Sequence, residues 1–182
     1  FGGLLLATLV SPAFTWTGHA LSELGAPTGP VATDLTRLLF NGGLIAGGLV
    51  AIGFGYALFL AARNLLEFAG IALFGLTSIS MAGIGVFPMP QAAHFVVAVS
   101  FYVLLSLAMW VYGTGNLLAG ERTRGGTTIG LGVLSAGAWA AWGLTGEFMR
   151  PGLAVPEIVG AAALAGWIVA TAFSLRRRLA GD

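Results

Sequence analysis

The chain has no cysteine and no lysine among its 182 residues, and only 8% of them are charged. Without cysteine it can form neither a disulfide nor a thiolate metal site. Without lysine it cannot hold retinal or pyridoxal phosphate through a Schiff base. The formal net charge of +1 is too small to indicate nucleic acid as a partner. A soluble domain normally carries about 25% charged residues, so this composition excludes an ordinary water-exposed surface.

What the chain has instead is a large apolar fraction, since 57% of its residues are hydrophobic. They are gathered in long runs without alternation. In lipid every backbone polar group must be satisfied within the protein, so such runs are expected to be helices. We therefore predict one all-α domain over residues 1–182, a multi-pass protein of the cell (plasma) membrane. Six transmembrane helices are predicted, at about residues 1–16, 38–62, 68–87, 94–119, 128–145 and 157–175.

The placement of arginine predicts the orientation of these helices. Six arginines fall on one side of the predicted bundle and two on the other, which by the positive-inside rule places both termini in the cytoplasm. The first run is shorter than the roughly 20 residues that a span needs. We therefore expect either further residues before Phe1 or a helix that continues past residue 16. The inner arginines are Arg63, Arg122, Arg124, Arg176, Arg177 and Arg178, and the outer ones are Arg37 and Arg150.

Small residues recur at every fourth position along the second predicted helix. Aligned small side chains allow membrane helices to approach closely. We interpret this stripe as packing within the bundle rather than as a dimer interface. Its members are Gly43, Gly47, Ala51 and Gly55.

Polar residues with binding chemistry collect on the predicted outer side. His19 and Glu23 are four residues apart, so a short helix would place them on one face. Gly25 and Pro27 would end that helix. We predict an outward-facing polar pocket, with these candidate ligand-binding residues: His19, Ser22, Glu23, Arg37, Asn41, His94 and Glu147.

A divalent metal ion is one possible ligand of this pocket, held by His19, Glu23 and His94. The spacing does not match an H-E-x-x-H motif, and hydrogen bonding at the membrane interface is the favoured alternative for His19 and Glu23. Asn41 could equally hold the second helix to the preceding loop. Glu157 is interpreted as a first-turn acid that the helix dipole favours.

Three motifs carry a family resemblance. They are S-P-x-F-x-W-x-x-x-A-L-S-E-L-G at residues 11–25, L-F-N-G-G-L-I-x-G-G-L at 39–49 and G-V-F-P-M-P-Q-A-A-H at 85–94. Together they resemble an uncharacterised multi-helix membrane family of archaea and actinobacteria, known only as a domain of unknown function. A fainter likeness is to Frag1 and DRAM-type membrane proteins. The resemblance implies a membrane protein and supports the residues of the site, but it implies no activity.

The leading hypothesis is a non-enzymatic or accessory membrane protein whose pocket binds a lipid headgroup, a small ligand or an ion. Its expected partners are membrane lipid and either a small ligand or a partner membrane subunit. One alternative is an outer-leaflet, metal-assisted hydrolase in which the three candidate ligands activate water. A small transporter is the second alternative, although few ionisable residues lie at mid-membrane, where coupling sites normally occur.

Overall fold

The computed structural model describes residues 1–144 and 152–180, and for residues 177–180 only the backbone. Every regular element in these ranges is helical, and they contain no strand. A 3-10 helix at Leu21–Gly25 lies between the first two α-helices. The α-helices are α1 (Gly2–Leu9), α2 (Asp34–Leu60), α3 (Leu65–Val86), α4 (Ala92–Leu118), α5 (Arg122–Leu144) and α6 (Ala154–Ala180).

The helices α2 to α6 are long and apolar enough to cross a membrane, which agrees with the prediction of a helical membrane protein. The first helix was predicted over residues 1–16, but α1 ends at Leu9. Its eight residues extend only about 12 Å. Pro12 explains the difference, since the residue before a proline is disfavoured in the helical region. The Ser11 hydroxyl instead donates to the Val31 carbonyl oxygen at 2.9 Å.

Two helix starts differ from the prediction by four residues or more. The helix α5 begins at Arg122 and not at residue 128, because polar residues can continue a helix beyond the apolar part of a span. The helix α2 begins at Asp34 and not at residue 38. Its N-cap is Thr33, whose hydroxyl accepts a hydrogen bond from the Thr36 backbone N–H at 3.1 Å. A π-helical turn at Leu38–Gly42 interrupts the α-helical pattern of α2.

Helices that follow one another in the chain pack side by side from α2 to α6. Glycines mark the closest approaches between them. A Cβ atom at Gly48 would lie 2.7 Å from the carbonyl oxygen of Ser78, across the α2–α3 contact. One at Gly70 would lie 2.6 Å from the backbone nitrogen of Tyr112, across the α3–α4 contact. At these two points only the absence of a side chain lets the helices meet.

The last helix, α6, packs against the first span, α2, through edge-on aromatic rings. The ring of Trp167 on α6 lies edge-on to Phe54, Phe74 and Tyr112, with centroid distances of 6.1, 5.1 and 5.6 Å. Its indole N–H donates to the Thr128 hydroxyl at 3.1 Å. We call these four rings, from Phe54, Phe74, Tyr112 and Trp167, the aromatic floor.

Charged residues form a network at one end of the bundle, here called the arginine end and defined by Arg63, Glu67 and Glu121. The Glu67 side chain is only 1% exposed and pairs with the guanidinium of Arg63. The Arg63 side chain also donates to Glu121 at 3.1 Å. The hydrogen bond to Glu67 raises the pKa of Arg63 above its usual range. The network ties the α2–α3 connection to the α4–α5 connection.

Candidate functional site

A cavity of about 280 Å³ lies between α2 and α6. The helices α3 and α4 form its back through Met81, Ile84 and Phe101. The 3-10 helix closes one end with Leu21, and Phe54 of the aromatic floor closes the other. We call the end at the 3-10 helix the capped end. The cavity therefore occupies the half of the bundle away from the arginine end.

Small residues on the two facing helices make the room for this cavity. Gly43, Gly47 and Ala51 line it from α2, and Ala161 and Ala165 line it from α6. The stripe therefore serves both the predicted close packing and the open space. A Cβ atom at Gly43 would lie 3.5 Å from the Cα of Gly3 on α1, and one at Gly55 would lie 3.4 Å from the Phe74 ring.

The cavity opens sideways, through the wall of the bundle. Val50 on α2 and Val169 on α6 both line it. The same residues are 73% and 55% exposed on the outside of the bundle. Because both helices are membrane spans by length and composition, this opening faces the region that lipid chains would occupy.

Four polar side chains lie at the capped end, and we call them the polar cluster: Ser22, His94, Tyr102 and Glu157. Glu157 is in the first turn of α6, and its Oε2 accepts a hydrogen bond from the Leu21 backbone N–H at 2.6 Å. This bond joins α6 to the 3-10 helix. The Tyr102 hydroxyl donates to the Glu157 carbonyl oxygen at 3.3 Å, which joins α4 to the same turn.

The other two members of the polar cluster attach to the α3–α4 connection. The Nδ1 of His94 lies 2.8 Å from the Phe87 carbonyl oxygen. Since a carbonyl can only accept, Nδ1 carries the proton, and in the neutral ring Nε2 is left as an acceptor. The Ser22 hydroxyl donates to the Met89 sulfur at 3.0 Å. The cluster is thus held by bonds from three different segments.

The structure separates the residues that were expected to share a short helical face. The 3-10 helix begins at Leu21, so His19 precedes it, and the prediction of one helix carrying both His19 and Glu23 is wrong. The His19 Nδ1 accepts from the Thr15 backbone N–H at 3.1 Å. The Glu23 Oε1 accepts from the Ala20 backbone N–H at 2.8 Å. These are the local hydrogen bonds of the favoured alternative, and neither residue lines the cavity.

The predicted three-residue metal site is not formed. Within residues 1–144 and 152–180, no three His, Asp or Glu side chains lie close enough to hold one ion. His19 and Glu23 are turned to their own backbone neighbours, whereas His94 lies in the cavity wall. His19 and Glu23 are separated because the 3-10 helix begins only at Leu21, so the two residues do not share a helical face.

Two further candidates, Arg37 and Asn41, do not line the cavity. The Arg37 guanidinium donates to the Pro27 carbonyl oxygen at 3.0 Å and pairs with Asp34 at 2.9 Å. The Asn41 side-chain N–H donates to the Gly25 carbonyl oxygen at 2.9 Å. This is the alternative in which Asn41 holds the second helix to the loop. The seventh candidate, Glu147, lies outside the described residues.

Sequence reasoning did not select Tyr102 or Glu157 for the site. Glu157 could have been found from the spacing of α6, because Glu157, Ala161 and Ala165 fall four residues apart and so share one face. An acid at the start of a helix, followed on the same face by small residues, indicates a polar group at the end of a cavity that those small residues leave open. Tyr102 gave no such signal, since an aromatic in an apolar helix is common.

Comparison with known proteins agrees with the resemblance in the three motifs. The profile of a family described as "Protein of unknown function (DUF998)" matches residues 1–174. No curated protein matches the chain, and no solved structure matches it. The family adds no activity, and the membrane character of the chain rests on its five long apolar helices.

Proposed function

The chain belongs to the DUF998 family, and from its cavity we propose that it is a membrane protein that binds an amphipathic lipid. The lipid enters sideways between α2 and α6, without chemical change. The observation that carries this proposal is the union of three properties in one cavity: apolar walls, a polar cluster at one end only and an opening at Val50 and Val169.

The size of the cavity favours a single chain. Its volume of about 280 Å³ equals that of about nine water molecules in the liquid and falls at the small end of ligand sites. One narrow alkyl or isoprenoid chain fits such a space, whereas both chains of a phospholipid do not. The chain would lie along Gly47 and Ala165 toward the aromatic floor, with its polar head at the capped end.

We place the protein in the plasma membrane as a multi-pass chain with its C-terminus in the cytoplasm. The prediction of both termini there assumed six spans, and the eight residues of α1 are too few to form the sixth. Arg63 lies in the α2–α3 connection at the arginine end, Arg122 and Arg124 lie in the first turn of α5 at that end, and the polar cluster lies at the opposite end. The positive-inside rule then puts the capped end outside. The enzymatic alternative lacks support because the described residues bring no set of metal ligands together.

Filling the cavity tests the proposal. A Cβ atom at Gly47 meets only the end of the Met81 side chain, at 3.4 Å, so Gly47→Leu places its side chain in the cavity without a backbone clash. Gly53 on the same helix is exposed, with nothing within 4 Å of a Cβ atom. Gly53→Leu is therefore the matched control.

The measurement is native mass spectrometry of protein purified in a mild detergent. We expect a lipid adduct on the wild type and on Gly53→Leu, and its loss from Gly47→Leu. Equal adducts on both variants would show that the lipid sits elsewhere on the surface and would refute binding in the cavity.

A further inference from the structure

We propose that the lipid is an alcohol, with a neutral hydroxyl as its head group. This inference rests on the proposed function and specifies the chemistry of the same site. It comes from the hydrogen-bonding capacity that the polar cluster leaves unused, and from the absence of positive charge among the described residues that line the cavity.

No arginine lines the cavity within the described part of the chain. Among the described arginines, Arg37 is the nearest in sequence to a lining residue, Phe40. It is engaged with Asp34 and the Pro27 carbonyl. A phosphate or carboxylate head group buried without a cation would lose its hydration without compensation. An anionic head would also lie beside the acid Glu157. Among the described residues, the charge pattern therefore disfavours phospholipids, lysophospholipids and fatty acids.

The donors of the polar cluster are already engaged. The hydroxyl of Ser22 donates to Met89, that of Tyr102 donates to the Glu157 carbonyl, and the Nδ1–H of His94 donates to Phe87. None of these bonds uses the acceptor Nε2 of His94 or the second carboxyl oxygen of Glu157, and both residues line the cavity. The hydroxyl oxygens of Ser22 and Tyr102 can also still accept. The head group must therefore supply a hydrogen-bond donor.

A hydroxyl satisfies this pair whether or not the Glu157 carboxyl is ionised. It donates to His94 Nε2 and, if Glu157 is protonated, it accepts from that acid with its own oxygen. If Glu157 is ionised, the hydroxyl has a choice of two acceptors. An ammonium head would fit only the ionised acid, and its desolvation in an apolar cavity costs more than that of a hydroxyl.

The test compares four ligands with one shared saturated chain: a fatty alcohol, a fatty amine, a fatty acid and an alkyl phosphate. Binding to purified protein in detergent is measured against Gly47→Leu, whose filled cavity reports partition into the micelle alone. We expect the alcohol to bind at least about tenfold more tightly than the acid and the phosphate, the value of one good hydrogen bond.

The outcomes separate the two proposals. If no ligand binds the wild type better than Gly47→Leu, lipid binding in the cavity fails. If the acid, the phosphate or the amine binds more tightly than the alcohol, cavity binding stands and the hydroxyl inference is overturned.

Two substitutions of Glu157 provide a second check. Glu157→Gln keeps an oxygen for the Leu21 N–H and adds a donor, so alcohol affinity should stay within about threefold. Glu157→Leu removes the polar partner and should weaken the alcohol about tenfold. Equal alcohol affinity in both variants would contradict the role of Glu157, and the ligand series on the wild type decides the question if Glu157→Leu does not fold.

Discussion

The crossing of α3 and α4 at Gly70 should be one of the points of the bundle least tolerant of a methyl group. A Cβ atom there would lie 2.6 Å from both the nitrogen and the Cβ of Tyr112 and 2.7 Å from its Cα. Ordinary contact begins at 3.4 Å, so the helices must separate by about 0.8 Å, the difference between 3.4 and 2.6 Å. Because two of the three atoms belong to the backbone, no rotamer change can relieve the clash.

The energetic cost follows from this geometry. Overpacking of this kind costs about 1–3 kcal/mol, and separation of the helices also strains the 2.8 Å hydrogen bond from the Asn64 amide to the Gly115 carbonyl. The preference of helices for alanine over glycine returns up to about 1 kcal/mol. Since three atoms of Tyr112 overlap at once, we take the upper end of the overpacking range, and Gly70→Ala should lose up to about 2 kcal/mol net. Gly75→Ala, on the same helix with nothing within 4 Å, should be neutral or slightly stabilising.

The assay is reversible unfolding in mixed micelles with a rising fraction of SDS, followed by far-ultraviolet circular dichroism. The two alanine variants share their chemistry and their helix, so propensity cancels between them. If Gly70→Ala and Gly75→Ala unfold at the same SDS fraction, the close approach of α3 and α4 is incorrect.

Two further stability predictions concern polar contacts. Arg63→Gln leaves the buried Glu67 carboxylate without its main partner and should cost about 3 kcal/mol. Glu67→Gln should cost less because the Arg63 side chain is 31% exposed and keeps its bond to Glu121. The same SDS titration is applied to both single variants and to the double variant. Additive costs would show that Arg63 and Glu67 are not coupled. Asn41→Ala should cost only about 1 kcal/mol, since it removes the bond to Gly25 together with a buried, unpartnered Oδ1. Asn41→Asp should cost more, because it sets a second acceptor against that carbonyl, and a smaller loss than for alanine would contradict the contact.

The helical membrane character of the chain was predictable because it depends on composition and run length alone. Helix ends were less predictable, as Pro12 and the early start at Arg122 illustrate. Pro12 stops α1 through local backbone sterics and should have been weighed against the apolar run around it. For α5, hydropathy located the start of the apolar part at residue 128, whereas the helix itself begins at Arg122 with polar residues.

The site was predicted only in part because its geometry depends on which residues face each other. Ser22 and His94 were selected from their side of the bundle, and both line the cavity. The stripe at Gly43 and Gly47 could have served either packing or space. The choice depends on α6, which opposes the stripe with the equally small Ala161 and Ala165, and the pairing of distant helices is not visible in a single sequence.

The side opening at Val50 and Val169 changes the quantity that governs occupancy. A ligand that arrives from the surrounding hydrocarbon is already desolvated, so the hydrophobic gain of leaving water does not contribute to its capture. Binding then responds to the mole fraction of that lipid in the bilayer, and not to its vanishingly small aqueous concentration. Under these conditions the few hydrogen bonds of the polar cluster are enough to favour one lipid over the others in the bilayer. The cavity would fill and empty with the composition of the membrane around it.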